Sequence, residues 1–283
     1  MRADSSSLGS HHRGEWVDTE GACQDGCTEY LAGPDMAPLT VHEFDAAGNR
    51  IVVVDGRLSA SELPVESVFR HVAGLDYVCQ PDLFAVLTSR PGVCASFWNR
   101  DGSKERVCGN ALRCIGWLLA RQNQPETVWT DHGEFMVGCD DGWAWVDFPV
   151  ASISARSVGA NQWLVDCGTP HAVWMVEDLN DRDTAIRALQ RSAGAGAINV
   201  TIAAGAPGGW KVRTFERGVG ETGSCGTGAV AVFVTLAQNG GLASSAGFEF
   251  ASGHSLVASL ERDAIRLRGT VNHVASKRTG SSL

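Results

Sequence analysis

Two stretches of the chain place a cysteine where it could do acid–base work: Cys108-Gly109-Asn110-Ala111-Leu112-Arg113-Cys114 and Gly223-Ser224-Cys225-Gly226-Thr227-Gly228-Ala229. Each runs straight into an apolar segment of helical length, so each reads as a cysteine on a glycine-containing turn at a helix N-terminus. Unpaired backbone N–H groups and the positive end of the helix dipole meet there, which favours a thiolate and binds a carboxylate. Two such sites opposed across one cleft would set an acid and a base on opposite faces of a single carbon. That is what stereoinversion of an amino acid needs: the α-proton leaves from one face and a proton returns to the other. The same amides would cradle the α-carboxylate as negative charge develops on it.

One such motif alone reads better as an ordinary buried cysteine ahead of a helix, because free cysteine is among the most buried residue types. Two matched motifs favour chemistry, since polar and charged residues flank both: Asn99 and Asp101 before the first, Glu216 and Arg217 before the second. Neither cysteine sits in a C-x-x-C, which argues against a redox dithiol. His11-His12 and Cys23-x3-Cys27 are of ligand type, but zinc wants four organised ligands at tighter spacing, and no metal is expected.

The elements that must hold the two cysteines occur in a repeated order. Residues 1–37 lack any sustained period and read as a flexible extension. Strands are expected at 39–44 and 51–55 around a turn at Ala46-Ala47-Gly48-Asn49, then a helix from Ser59-Ala60-Ser61-Glu62, with Pro64 in its first turn, to Ala73-Gly74. Strands at 83–89 and 94–99 flank the turn Arg90-Pro91-Gly92. The helix after Cys108 carries apolar positions at Leu112, Ile115, Leu118 and Leu119 and ends at Pro125, with strands at 127–130, 133–139 and 143–149 beyond it. From residue 160 the order restarts: strands at 162–167 and 172–177, a helix at 181–193, strands at 197–203 and 209–216, the Cys225 helix, and strands at 247–251, 255–260 and 264–268. Gly48 and Gly168 lie 120 residues apart and Cys108 and Cys225 lie 117 apart, a near-constant offset that implies duplication about a pseudo-twofold axis. The segment 230–237 is apolar on every face, as a helix wrapped by a sheet would be. The expected fold is therefore α/β (α+β): two pseudo-symmetric domains, each a bent, mainly antiparallel sheet around a central helix. Their bounds are 38–155, completed by 270–283, and 156–269.

With 44% apolar and 19% charged residues over 283 positions, the chain can bury a sizeable core. A net charge of −9 argues against nucleic acid as a partner, which would need clustered Lys and Arg, and favours a small molecule. No run of about 18 apolar residues exists and the N-terminus is polar, so neither a membrane span nor a signal peptide is expected and the location expected is cytoplasmic. Nine cysteines, among them Cys79, Cys94, Cys139 and Cys167, are spread through apparent strands and helices and read mostly as reduced core residues. The nine tryptophans also read as core.

Over residues 40–275 the chain resembles the diaminopimelate epimerases. The resemblance is carried by Asn99-Arg100-Asp101-Gly102-Ser103 with the Cys108 motif, by Gly168-x-Pro170-His171, and by Glu216-Arg217-Gly218-x-Gly220-Glu221-Thr222 leading into Cys225-Gly226-Thr227-Gly228. It implies the paired fold with central helices and a cofactor-independent two-base mechanism through Cys108 and Cys225. The expected reaction is conversion of L,L- to meso-diaminopimelate, a step toward lysine and cell-wall precursors; alternatives are a racemase of another amino acid and a non-catalytic amino-acid-binding homologue. Phenazine-biosynthesis-type isomerases and proline-racemase-type enzymes are the competitors within the fold. By the same resemblance the amides of Gly109, Asn110, Gly226 and Thr227 hold the α-carboxylate. Asn49, Asn99, Asn199, Glu216 and Arg217 orient the amino groups and distal carboxylate, with Arg217 the charged anchor through a bidentate contact. The partner is an amino acid, and a homodimer is the assembly to test. Three positions depart from the family pattern: Thr169 replaces the usual Asn before Pro170, Asn49-Arg50-Ile51 replaces Asn-Asp-Phe, and Tyr77 falls where a Gln is usual. Thr169 and Tyr77 each lose an amide that both donates and accepts, which makes them candidate specificity positions together with His171. His171 itself reads as a ring that fixes a loop through a backbone hydrogen bond.

Overall fold

The chain opens on a hairpin, Thr40–Ala46 (β1) and Asn49–Asp55 (β2), closed by Ala47 and Gly48. Both turn residues have positive φ, 58° and 84°, the hand of twist that a two-residue hairpin loop requires. The computed structural model describes residues 39–58, 64–89, 92–123, 127–194, 196–240 and 244–279. The extension at 1–37 with His11-His12 and Cys23-x3-Cys27, the helix start at Ser59 to Glu62, Arg90-Pro91 and Pro125 all lie outside the described residues.

Val65–Ala73 (α1) carries the chain over to Leu83–Thr88 (β3), which pairs parallel with β2 and antiparallel with Val93–Asn99 (β4). The far edge of β4 is shared. Its start pairs parallel with Thr127–Thr130 (β6), and Phe97 and Trp98 near its end pair with the two-residue strand Lys104–Glu105 (β5). Between these partners runs Gly109–Arg121 (α2), and Gly133–Asp140 (β7) and Trp143–Pro149 (β8) continue the sheet antiparallel.

The same wiring then recurs. Gln162–Asp166 (β10) pairs antiparallel with Pro170–Val176 (β11), which pairs parallel with Asn199–Ala206 (β12) across the helix Arg182–Ala193 (α3). Gly209–Glu216 (β13) follows antiparallel and again shares its far edge, between Ser245–Phe250 (β15) and the short Gly220–Thr222 (β14), with Gly226–Gln238 (α4) between them in the chain. Ser255–Leu260 (β16) and Ala264–Thr270 (β17) complete the set. The two ladders join along β8 and β17, paired antiparallel from Trp143–Thr270 to Pro149–Ala264. Their outer strands are exchanged: Ser154–Gly159 (β9) pairs with β10, and Asn272–Arg278 (β18) returns to pair with β1. Strands β5, β9 and β14 escape the sequence pattern because two are two or three residues long and β9 is almost wholly exposed, with no apolar face to alternate.

Each sheet wraps a helix. Ten of the 13 residues of α2 and 11 of the 13 of α4 are buried, which is why α4 tolerates, and needs, an apolar surface all round. Helix α2 rides against β7, where a Cβ at Gly116 would stand 2.7 Å from the backbone nitrogen of Gly138. Gly138 in turn leaves room for Trp145 on the outer face of the sheet, where the indole donates to Asp140 Oδ2 (2.7 Å) and Arg266 stacks on it at 3.8 Å while chelating Asp147. The tryptophans are thus not uniformly core: Trp98 and Trp145 are buried, but Trp129 and Trp143 remain 44% and 40% exposed on outward-facing strand positions. Among the cysteines, Cys114, Cys167 and Cys225 are buried, whereas Cys79 is exposed and Cys139 half-buried. No helix among the described residues is long and apolar enough to cross a membrane.

Because backbone rather than a flexible side chain meets the added carbon, Gly116→Ala should push α2 off β7 and destabilise the protein by about 1–3 kcal/mol. Urea unfolding would show it as a lowered midpoint at unchanged slope, and an unaltered midpoint would contradict the close approach.

Candidate active site

Cys108 is the N-cap of α2 with φ −133° and ψ 112°, and Cys225 is the N-cap of α4 with φ −135° and ψ 114°. The two local geometries are thus nearly superimposable, as the repeated wiring demands. The helix N-termini abut. A Cβ at Gly226 would stand 3.1 Å from Asn110 Oδ1 and 3.0 Å from Leu267 Cδ2, and one at Gly109 would stand 3.6 Å from the Gly226 carbonyl carbon. Only residues without side chains let the two ends come this close.

Above this junction opens a cleft of about 520 Å³ lined by both cysteines and by Gly109, Asn110, Gly226 and Thr227. Strand ends supply its rim: Asn49 at the start of β2, Asn99 at the end of β4, Asn199 at the start of β12, and Glu216 at the end of β13 with Arg217 beyond it. Thr169 also lines it, its hydroxyl donating to the Val107 carbonyl at 3.3 Å. Tyr77 does not. Its hydroxyl donates to the Val72 carbonyl, its ring packs edge-on against Phe84, and Lys277 caps it at 4.2 Å, so this expected specificity position belongs to the packing of α1.

His171 is likewise withdrawn from the cleft wall, fully buried beneath it. It holds no backbone group; its ring bridges Thr201 Oγ1 (2.9 Å) and Thr227 Oγ1 (3.0 Å). Thr227 Oγ1 lies 3.4 Å from Cys225 Sγ, so a buried file of hydroxyl, imidazole and hydroxyl runs back from that sulfur. Burial pushes the His171 pKa down to about 3, and the ring is neutral, donating on one side and accepting on the other.

On the opposite side Arg113, fully buried in α2, donates to Asn110 Oδ1 (2.8 Å) and to the Thr270 carbonyl (3.2 Å), and Asn110 Nδ2 donates to Ser224 Oγ (3.3 Å). This chain ties one helix end to the other. Sequence reasoning quoted Arg113 and Ser224 within the motifs without assigning them a task; a charged residue one turn into an apolar helix was the available signal. Burial draws the guanidinium down to about 10, and the neighbouring sulfurs of Cys114 and Cys108 oppose that shift.

The thiols themselves are pushed up. Burial raises Cys108 to about 12, the nearby charges of Glu216 and Glu105 add to it, and the N–H groups of Asn110 and Ala111 pull the other way. Cys225 is raised well above its ordinary value by burial first and Glu216 second, with Thr227 and the Gly228 amide opposing. The expectation that helix dipoles alone hold one sulfur ionised near neutrality is therefore corrected: desolvation outweighs them. Glu216 is raised as well, chiefly by burial, while its Oε1 accepts from Thr222 Oγ1 at 2.8 Å. Asn199 Oδ1 accepts from the Arg217 backbone N–H at 2.7 Å, and Asn99 Nδ2 donates to Glu105 Oε1 at 2.9 Å. Glu105 and its contact with Arg217 Nη2 (3.3 Å) were not foreseen, because a glutamate on a two-residue strand carries no signal in sequence.

Two thiols that cap abutting helices and line one cleft, with carboxylate and amide side chains around them, are the kinds of group that bind an α-amino acid and move protons at its α-carbon. A family model described as diaminopimelate epimerase matches residues 163–274. The chain is 32% identical to a diaminopimelate epimerase of Thermotoga maritima over 213 residues, 70% of this chain and 85% of that one. It is 35% identical to a diaminopimelate epimerase of Methanopyrus kandleri over 156 residues, 52% of this chain and 55% of the relative's length. The fold is that of a phenazine biosynthesis protein of the PhzF family from Enterococcus faecalis, with a TM-score of 0.63 at 14% identity, covering 86% of this chain and all of that one.

The buried thiols make stability depend on alkaline pH. A thiol of the unfolded chain titrates near 9, whereas Cys108 and Cys167 are held near 12, so their contribution is complete below pH 9 and is lost as pH rises toward 12. Each should remove about 1 kcal/mol per pH unit over that window. Urea midpoints measured from pH 7 to 10.5 should fall beyond pH 9, less steeply in Cys108→Ala; a flat profile would contradict the desolvation of these sulfurs.

Proposed function

The chain belongs to the diaminopimelate epimerase family and is an isomerase, and on that premise we propose that it inverts the α-carbon of an amino acid through Cys108 and Cys225 without a cofactor. One cysteine, as thiolate, takes the α-proton: an S–H bond forms, the C–H bond breaks, and its electron pair remains on the substrate, delocalised into the carboxylate. The opposite thiol then gives its proton to the other face and is left as the thiolate. The next turnover can start from that side, so the cycle consumes nothing.

The observation that carries this reading is the matched pair of N-cap cysteines on abutting helices that line one cleft. The amides of Gly109, Asn110, Gly226 and Thr227 hold the α-carboxylate where two positive helix ends converge, and Asn49, Asn99, Asn199 and Glu216 orient amino groups. Since burial keeps both thiols protonated, one of them first gives its proton to solvent as substrate binds; the substrate's α-ammonium brings the positive charge that favours the thiolate, and the buried Arg113 guanidinium acts in the same direction. Residues 38–155 and 156–269 act as two copies of one unit, each contributing one sulfur. The relatives' names make conversion of L,L- to meso-diaminopimelate the reference reaction. A second reading, the racemisation of another amino acid, is favoured by the pairing of Arg217 with Glu105.

Because each cysteine serves one face, Cys108→Ala should still exchange the α-proton of one enantiomer with retention, while inversion falls at least about 10²–10⁴-fold in both directions. Cys225→Ala should show the mirror-image pattern. The assay is α-deuterium uptake by each enantiomer in D2O, with chiral chromatography alongside. Inversion at near wild-type rate by either variant would exclude the paired mechanism, and binding of amino acids without any exchange by the wild type would mark a non-catalytic homologue.

A further inference from the structure

We propose that Glu105 makes the distal end of the cleft select an amino acid whose side chain ends in a cation and reject one that ends in a carboxylate, an inference that rests on the epimerase reading of the same site. The two groups expected to receive a distal carboxylate are both turned on the chain's own acid. Arg217 Nη2 lies 3.3 Å from Glu105 Oε1, and Asn99 Nδ2 donates to the same oxygen at 2.9 Å. Glu105 is held in place: its backbone pairs with Phe97 across β5 and β4, and its side chain is only 20% exposed. Arg217 could swing toward a ligand, being 52% exposed, but Glu105 would remain beside it.

No other cation compensates. Among the described residues that line the cleft, Arg100 is the second guanidinium, and it faces Asp82 at 3.5 Å. The wall also carries the carboxylates of Asp101 and Glu216 and Asn49 Oδ1, which is buried without a donor, while the hydroxyls and amides beside them bring no positive side-chain charge. A substrate ending in a carboxylate would bring a third acid beside Glu105 and Asp101, and like-charge juxtaposition of this kind opposes its binding. A distal ammonium would find the same groups as partners. Glu105 thus fills, from within the protein, the place of a substrate carboxylate.

Diaminopimelate carries both an ammonium and a carboxylate at its distal end, so two of its analogues separate the terms: lysine keeps only the ammonium and 2-aminopimelate only the carboxylate. Norleucine has neither. For wild type, α-deuterium exchange in D2O should give kcat/KM for lysine about 10²-fold above that for 2-aminopimelate, with diaminopimelate and norleucine below lysine. The nearly isosteric Glu105→Gln, which keeps an acceptor for Asn99, should shrink the lysine preference by about tenfold or more by removing the charge. Exchange of diaminopimelate, 2-aminopimelate or norleucine faster than lysine, or a ratio unchanged in Glu105→Gln, would overturn the selectivity while leaving the epimerase reading intact. Exchange of no amino acid by the wild type would overturn both.

Discussion

The contact on which the molecule turns is the meeting of two helix N-termini at Gly109, Asn110 and Gly226. Two such ends, each bearing about half a positive charge, repel when brought together, and the repulsion is relieved by an anion held between them. The same proximity that is unfavourable for the protein alone would therefore suit a bound carboxylate, and a cysteine caps each of the two ends. Leu267 of β17 packs beneath both ends and Phe148 of β8 beneath Gly109, within 3.0–3.4 Å of where glycine Cβ atoms would lie, so the strand pair that joins the halves is also the floor of the junction.

Holding that junction closed requires more than side-chain packing. One ladder crosses between the halves, β8 with β17, while β18 returns to complete the first sheet on β1 and β9 passes over to the second on β10. Opening the cleft by moving one half would strain the β8–β17 ladder and the two chain crossovers that lead into β9 and β18. The Arg113–Asn110–Ser224 chain adds a further tie at the helix ends themselves. A site assembled on such a frame keeps its amides and sulfurs oriented before a substrate arrives, which is the condition for electrostatic stabilisation without reorganisation during the reaction.

Desolvation shapes the electrostatics of the cleft more than any single charge does. It lifts both thiols, raises Glu216 and lowers His171, so the two sulfurs and the imidazole rest neutral. The charges that remain sit at the rim, where Glu105, Arg217, Arg100 and Asp82 pair among themselves. On the proposed reading, chemistry at the α-carbon and recognition of the side chain fall to different depths of one cleft.

Periodicity, turn residues and the spacing of two cysteine motifs carried a large part of this architecture on their own. The helix N-caps at Cys108 and Cys225, the repeated element order and the all-apolar α4 are local properties, written in residues adjacent along the chain, and they were legible for that reason. Gly109, Asn110, Gly226 and Thr227 lie within the motifs themselves, whereas Asn49 and Asn199, gathered at the same cleft, were supplied only by the family resemblance. Tertiary structure decided what depends on residues far apart in sequence. Tyr77 belongs to the packing of α1 because Phe84 and Lys277 enclose it, His171 bonds hydroxyls from β12 and α4, and Arg217 faces a glutamate 112 residues away. The protonation of the thiols was decided there too: a helix dipole can be read from the chain, but the burial that outweighs it exists only once both sheets have closed around the helices.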